Sequence, residues 1–139
     1  MTRDQLPTHA ELHARPRATP KPCTKLERAI ARKAARLEDA KQLRIWAYAV
    51  KERDYWKDRK TGQRVRRTRD LDPLRAEAHH IESRDDRAVR YDVRNGICLS
   101  FQSHQAVTRG QLRIEGTVWF RKNGCRYIDG TYPVTFVRT

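Results

Sequence analysis

The sequence has few of the features that mark a secreted, disulfide-bonded or membrane-spanning protein. Its three cysteines, Cys23, Cys98 and Cys125, form no C-x-x-C pair, which argues against a disulfide framework and against a cysteine-based zinc site. No run approaches the roughly 18 apolar residues that a transmembrane helix needs, and residues 1–22 contain no apolar core of a signal peptide. We therefore expect a cytoplasmic protein with no membrane partner.

Acidic residues are also scarce relative to basic ones. The 139 residues include 17 acidic and 31 basic side chains, for a formal net charge of +14, and 23 of the basic residues are arginine. Arginine pairs bidentately with phosphate and stacks on bases, so the composition indicates a nucleic-acid partner. An anionic membrane surface is the weaker alternative, because no segment combines a basic face with a broad apolar one.

The N-terminal half is predicted to contain an arm and one long helix. Residues 1–23 hold four of the six prolines and show no apolar period, which indicates a flexible arm. The sequence from Thr24 to Glu27 has the T-x-x-E form of a capping box, so a helix is expected to begin there. It should continue to about residue 53, with one break near residues 42–46 left open. Its apolar positions are Leu26, Ile30, Ala34, Leu37, Leu43, Ala47 and Val50.

The remaining patterns predict an α+β fold in which residues 24–139 form a single domain. A hydrophilic segment around a Thr61-Gly62 turn contains four arginines, called the basic loop below: Arg64, Arg66, Arg67 and Arg69. Strands are expected over residues 76–81 and 96–99, followed by a helix over residues 103–109 that Gly110 ends. Alternating apolar residues around Asn123-Gly124 predict a C-terminal β-hairpin or three-stranded meander.

Three short motifs in the centre of the chain carry residues suited to phosphodiester chemistry. They are His79-His80-Ile81, then Asn95-Gly96-Ile97 with Leu99 two residues later, then His104. Over about residues 50–110 this pattern resembles the HNH nuclease family, and an Arg53-Asp54 pair stands where such domains often carry one. The resemblance implies a central ββα-metal (HNH) module at about residues 76–110. It also implies a metal-dependent endonuclease that hydrolyses DNA, by nicking or by double-strand cleavage.

The resemblance also assigns roles within the motifs. It implies that His79 and His104 hold one divalent metal ion and that His80 is the general base that activates water. Asn95 joins His80 in the catalytic set, with the structural task of tying the loop that positions His80. Nitrogen ligands favour Mn²⁺, Ni²⁺, Co²⁺ or Zn²⁺, while Mg²⁺ prefers oxygen and stays an alternative. Adjacent residues of a regular strand point to opposite sides, and a twist or bulge at the strand end could let one histidine bind metal while the other faces the phosphate.

The chain also departs from the family pattern. It lacks the C-x-x-C pairs of many members, and Thr108 stands where the nuclease colicins have a further histidine ligand. These departures predict looser metal binding than in those relatives.

The expected DNA contacts are the basic loop together with Arg84 and Arg87, although a solvated surface is an equally ordinary role for such arginines. The chain is expected to act as a monomer or homodimer. One site nicks one strand at a time, so a double-strand cut would need a dimer or a second binding event. A bacterial host cell is the expected setting, with a bacteriophage genome as a candidate origin. The alternatives are a non-catalytic basic nucleic-acid-binding protein with a structural or absent metal, and a structural part of a ribonucleoprotein.

Overall fold

A computed structural model describes residues 24–120, 126–131 and 133–139 of the chain. The chain divides into two units, Met1–Ala35 and Arg36–Thr139. The predicted arm at residues 1–23 and the predicted Asn123-Gly124 turn lie outside the described residues. Within the described residues, no helix is long and apolar enough to cross a membrane.

The first element is a continuous helix, α1 (Lys25–Arg53). The Thr24 amide donates to Glu27 Oε2 at 2.9 Å, and the Glu27 amide donates to Thr24 Oγ1 at 3.1 Å. This reciprocal pair is the predicted capping box, so the predicted start of the helix is confirmed. No break occurs at residues 42–46, where the sequence contains neither glycine nor proline.

Only the apolar residues near the end of α1 are part of the core. Trp46 and Val50 are buried, whereas Leu26, Ile30 and Leu37 are 69%, 61% and 64% exposed. Burial depends on the close approach of the backbone at Gly96, where an added Cβ would lie 2.6 Å from both the Trp46 ring and Val50. A helical period therefore predicted the helix correctly without predicting which of its apolar residues are covered.

Within the described residues the strands form three two-stranded antiparallel ladders, which confirms the α+β class. The first ladder joins β1 (Ala76–His80) to β2 (Gly96–Ser100), with His79 opposite Ile97 and His80 opposite Gly96. A short 3₁₀ helix (Val93–Asn95) precedes β2, and helix α2 (Phe101–Thr108) follows it directly. Helix α2 starts two residues earlier than predicted, because Ser100 caps it by accepting a hydrogen bond from the Ser103 amide at 3.2 Å.

The C-terminal strands pair in a nested order. Strand β3 (Leu112–Gly116) pairs with β6 (Val134–Arg138), and β4 (Val118–Phe120) pairs with β5 (Arg126–Ile128) between them. A hairpin is therefore present as predicted, but β3 pairs with the last strand and does not continue as a consecutive meander. Ile97, Leu99 and Ile114 form one buried cluster of the core, with Val107 and Phe136 packed against them.

Candidate active site

The alternation of strand β1 sorts its polar residues onto two faces. Glu77 and His79 lie on one face, while His80 lies on the other. The β1–β2 pairing is regular through His80 opposite Gly96, so no bulge interrupts the strand at the two histidines. The two histidines of the pair therefore have separate surroundings.

Helix α2 brings His104 to the Glu77 and His79 face of β1. The rings of His79 and His104 lie edge to face, with centroids 5.0 Å apart. The structure therefore brings together the two predicted metal ligands, which are 25 positions apart in the sequence. The predicted base, His80, is not part of this pair.

A carboxylate that sequence reasoning missed completes this cluster. Glu77 Oε2 accepts a hydrogen bond from Nδ1 of His104, and its Oε1 accepts one from Arg75 Nη2 at 2.5 Å. Burial raises the pKa of Glu77, but the hydrogen bonds from His104 and Arg75 outweigh it and hold that pKa below its usual value. The available signal was the strand alternation, which places Glu77 two positions before His79 and on the same face.

The His79 ring is free to act as a ligand. Burial, together with the charges of His104 and His80, lowers the pKa of His79 to about 4, so the ring is neutral at pH 7. No hydrogen bond joins its ring nitrogens to any residue in the described part of the chain. A neutral imidazole with an unpaired nitrogen is the form that binds metal ions.

The donor set of this cluster fits a divalent transition metal. When Nδ1 of a histidine donates to a carboxylate, its Nε2 is oriented outward as a ligand, and this is the arrangement of Glu77 and His104. Across residues 24–120, 126–131 and 133–139, no three His, Cys, Asp or Glu side chains are grouped so as to hold a metal ion. His79 and His104 would thus supply two ligands, and water or phosphate oxygens would supply the others.

On the opposite face of β1, His80 is held by two contacts. Its ring stacks on Trp46 of α1, with centroids 3.7 Å apart and planes 10° from parallel. Its Nε2 donates to the Arg90 carbonyl at 2.9 Å, so Nδ1 is the unprotonated nitrogen of the neutral ring. Burial is the main cause that lowers the pKa of His80, and the nearby charges of Arg84 and Arg90 act in the same direction.

The segment that supplies the Arg90 carbonyl is anchored to α1. The Arg90 guanidinium pairs with Asp39 Oδ2 at 2.6 Å, and the Tyr91 hydroxyl donates to the other oxygen of the same carboxylate. This hydrogen bond from Tyr91 and the charge of Arg90 hold the pKa of Asp39 below its usual value. The partner of His80 is therefore fixed in place by contacts that bridge residues 39 and 90.

Asn95 is completely buried and ties the ends of the loop between β1 and the 3₁₀ helix. Its Oδ1 accepts from the Glu82 amide at 2.7 Å. Its Nδ2 donates to the carbonyls of Val89 and Glu82 at 3.1 and 3.3 Å. All of its side-chain partners here are backbone groups, so Asn95 has the geometry of a positioning residue for the loop that carries the Arg90 carbonyl.

The Arg53-Asp54 pair joins the end of α1 to β2. Arg53 donates to the carbonyls of Val93 and Gly96 at 2.7 and 2.6 Å. The buried Asp54 carboxylate accepts from the Cys98 amide at 2.8 Å and pairs with Arg59 at 2.8 Å. These bonds satisfy a buried charge and fix the strand that carries the second motif, so the pair has a structural task here.

The four arginines of the basic loop are in two different situations. Arg66 pairs with Asp72 at 2.6 Å, and the Arg67 guanidinium lies 3.9 Å from the ring centroid of Trp56. Arg64 and Arg69 are exposed and make no ion pair with any residue that the structure describes. Of the four, Arg64 and Arg69 are the pair most available to an external phosphate.

Arg84 and Arg87 lie exposed in the loop between β1 and the 3₁₀ helix. The charge of Arg84 acts on both His80 and Asp39, which places this cation on the His80 side of the site. Arg84 is therefore close enough to lower the pKa of the predicted base, His80. No arginine of the basic loop is among the groups that shift this pKa.

Comparison with known proteins gives no family assignment. No protein-family profile, no curated protein and no solved structure matches this chain.

Proposed function

We propose that this chain is a metal-dependent HNH-type endonuclease that hydrolyses DNA phosphodiester bonds. The observation that carries the proposal is the edge-to-face pair of His79 and His104, with the Glu77 carboxylate bound to Nδ1 of His104. The order of elements around this pair, a β-hairpin followed directly by a short helix, is the one that a ββα-metal module requires. The net charge of +14 supports a polyanionic substrate.

His79 and His104 would hold the metal ion, and Glu77 would keep the ring of His104 in its binding orientation. When bound, a divalent cation supplies positive charge that neutralises the charge developing on the phosphate and on the leaving oxygen. Two nitrogen ligands favour Mn²⁺, Ni²⁺, Co²⁺ or Zn²⁺ over Mg²⁺. Arg75 acts on this group indirectly, because its bond to Oε1 holds the Glu77 carboxylate in place.

His80 would act as the general base. Its unprotonated Nδ1 accepts a proton from the attacking water, and the Arg90 carbonyl stabilises the resulting imidazolium through the Nε2 hydrogen bond. Stacking on Trp46 restricts rotation of the ring, which reduces the entropy lost in reaching the reactive geometry. Because His79 and His80 lie on opposite faces of β1, a phosphate reached by both the metal ion and His80 would have to lie at the end of this strand.

Nicking of supercoiled plasmid tests the proposal, with each of the five divalent metals and with a chelator. His80→Ala should lose activity by about 10²-fold or more while keeping metal affinity, because a general base acts on the barrier and not on ground-state binding. His79→Ala and His104→Ala should lose both metal affinity, measured by calorimetric titration, and activity. Glu115→Gln, which removes an exposed carboxylate paired with Arg113, is a control that should leave both unchanged. Nicking by His80→Ala at the wild-type rate would refute the assignment.

A second candidate is a non-catalytic DNA-binding protein. It is favoured by the contacts of His80, since a histidine stacked on a tryptophan and bonded to a carbonyl is also an ordinary packed residue. This candidate predicts DNA binding that falls with salt and no nicking with any metal. The plasmid assay therefore separates the two candidates directly.

A further inference from the structure

A polar groove lies along helix α2, on the side away from the contact of His104 with β1. It consists of two adjoining clefts of about 740 and 340 Å³ that share Lys60, Ala106 and Gln111. One wall is the α2 face with Gln102, Gln105 and Arg109, which follow each other at steps of three and four. We call this surface the amide groove.

Three of the residues that line the amide groove are basic, and none of its described lining residues is Asp or Glu. Lys60 and Arg109 line the larger cleft, and Arg138 lines the smaller one. None of the three side chains forms an ion pair or hydrogen bond with any residue in the described part of the chain. Some exposed arginines elsewhere in this protein, such as Arg66 and Arg113, pair with carboxylates, whereas Arg64 and Arg69 do not pair with any that the structure describes. The groove is therefore a concave surface with three cationic side chains that have no Asp or Glu partner in the described part of the chain.

The groove also contains four of the six glutamines of the sequence: Gln63, Gln102, Gln105 and Gln111. Their backbone groups are bonded within the fold, but none of the four side-chain amides has a hydrogen-bond partner in the parts of the chain that are described. Each amide can donate and accept, so together they form a row of hydrogen-bonding groups beside the cations.

We propose that the amide groove binds a DNA strand outside the cleavage position, with the cations on phosphates and the glutamines on base edges or sugars. The proposal rests on the proposed function in one respect, since that function identifies DNA as the polyanion. Glutamine is a bidentate partner for adenine, and arginine is a frequent partner for phosphate. A small-molecule site is disfavoured, because such sites are mainly apolar with few polar groups.

The position of α2 links this surface to the catalytic proposal. One helix presents His104 to β1 and Gln105, the next residue, to the groove. The diameter of a helix with its side chains is about 10–12 Å, which is roughly three nucleotide steps along one strand. DNA in the groove would thus contact the protein a few nucleotides from the phosphate that is cleaved.

Binding of a DNA duplex, measured in EDTA at several salt concentrations, tests the groove without cleavage. The variant Lys60→Gln, Arg109→Gln, Arg138→Gln removes up to three phosphate contacts, so the slope of log affinity against log salt should become shallower by up to about 2.7. Between 50 and 200 mM salt the wild type should therefore lose up to about 40-fold more affinity than this variant. A control variant with the same net charge, Lys57→Gln, Arg113→Gln, Arg126→Gln, should change the slope by less than about one contact.

A second variant tests the amides independently of charge. Gln102→Ala, Gln105→Ala should lower affinity by roughly 2- to 10-fold for each amide that binds DNA, with no change in the salt slope. Alanine favours the helix at least as well as glutamine, so α2 is expected to stay folded, and a thermal melt checks this.

The groove proposal is overturned if the triple variant keeps the wild-type slope, or if it changes no more than its charge-matched control. Failure of the proposed function gives a different result. In that case the wild type binds DNA with the full salt slope but does not nick plasmid with any metal, and the groove proposal stands.

Discussion

Removal of the Asn95 side chain is expected to destabilise the protein and to lower its activity together. Asn95→Ala leaves the Glu82 amide and the Glu82 carbonyl without their partner, and it leaves the Val89 carbonyl with one bond, from the Asp92 amide. Asn95 and Val89 are 0% and 1% exposed, so water does not reach the Val89 side of the tie, whereas Glu82 is only half-buried. A buried polar group without a partner costs about 1–3 kcal/mol, and the small cavity adds to it. We expect a loss of about 2–4 kcal/mol in the free energy of unfolding.

Urea denaturation of the variant and the wild type measures this loss. A suitable control is Gln42→Ala, which also removes a side-chain amide. The amide of Gln42 makes one hydrogen bond, to Glu38 at 2.8 Å, and this bond is exposed to water. The control should change the free energy of unfolding by less than about 0.5 kcal/mol. If Asn95→Ala is as stable as this control, the loop tie contributes nothing and its role as a positioning residue is wrong.

Three further predictions concern packing, a buried thiol and the basic loop. Gly96→Ala places a Cβ 2.6 Å from the Trp46 ring, so a thermal melt should show a loss of about 1–3 kcal/mol. Burial, with the charge of Asp54, raises the pKa of Cys98 to about 12 from a usual 9.0. The unfolded thiol therefore ionises first, and the stability present below pH 9.0 should fall by up to about 1.4 kcal/mol per pH unit as the pH rises toward about 12. Urea denaturation from pH 8 to 11 measures the free energy of unfolding, and the loss due to thiol ionisation should be absent in Cys98→Ala. In the basic loop, Arg64→Gln, Arg69→Gln should reduce the salt slope of DNA binding by up to about 1.8. Arg66→Gln, Arg67→Gln should reduce it less, because these arginines already contact Asp72 and Trp56.

Features that depend on neighbouring residues were predictable from the sequence. The start of α1 follows from Thr24 and Glu27, which satisfy each other's amides three residues apart. The end of α2 is marked by Gly110, whose φ of +72° is accessible to glycine at little cost. The order of strand, loop, strand and helix also followed from short patterns, because each of these elements is specified within about ten residues. The resemblance to the HNH nuclease family implied that His79 and His104 belong to one group, and the fold brings their rings together.

Only the tertiary structure decided which side chains contact each other across elements. Stacking of His80 on Trp46 joins residues 34 positions apart, and the bond between His104 and Glu77 joins residues 27 positions apart. Neither contact has a local signature, since each depends on how closely two elements approach and which face each presents. The exposure of Leu37 and the pairing of β3 with β6 also depend on how the elements pack against each other. A period of 3.6 or 2 determines the faces of an element, whereas its partner is decided by the packing of the whole chain.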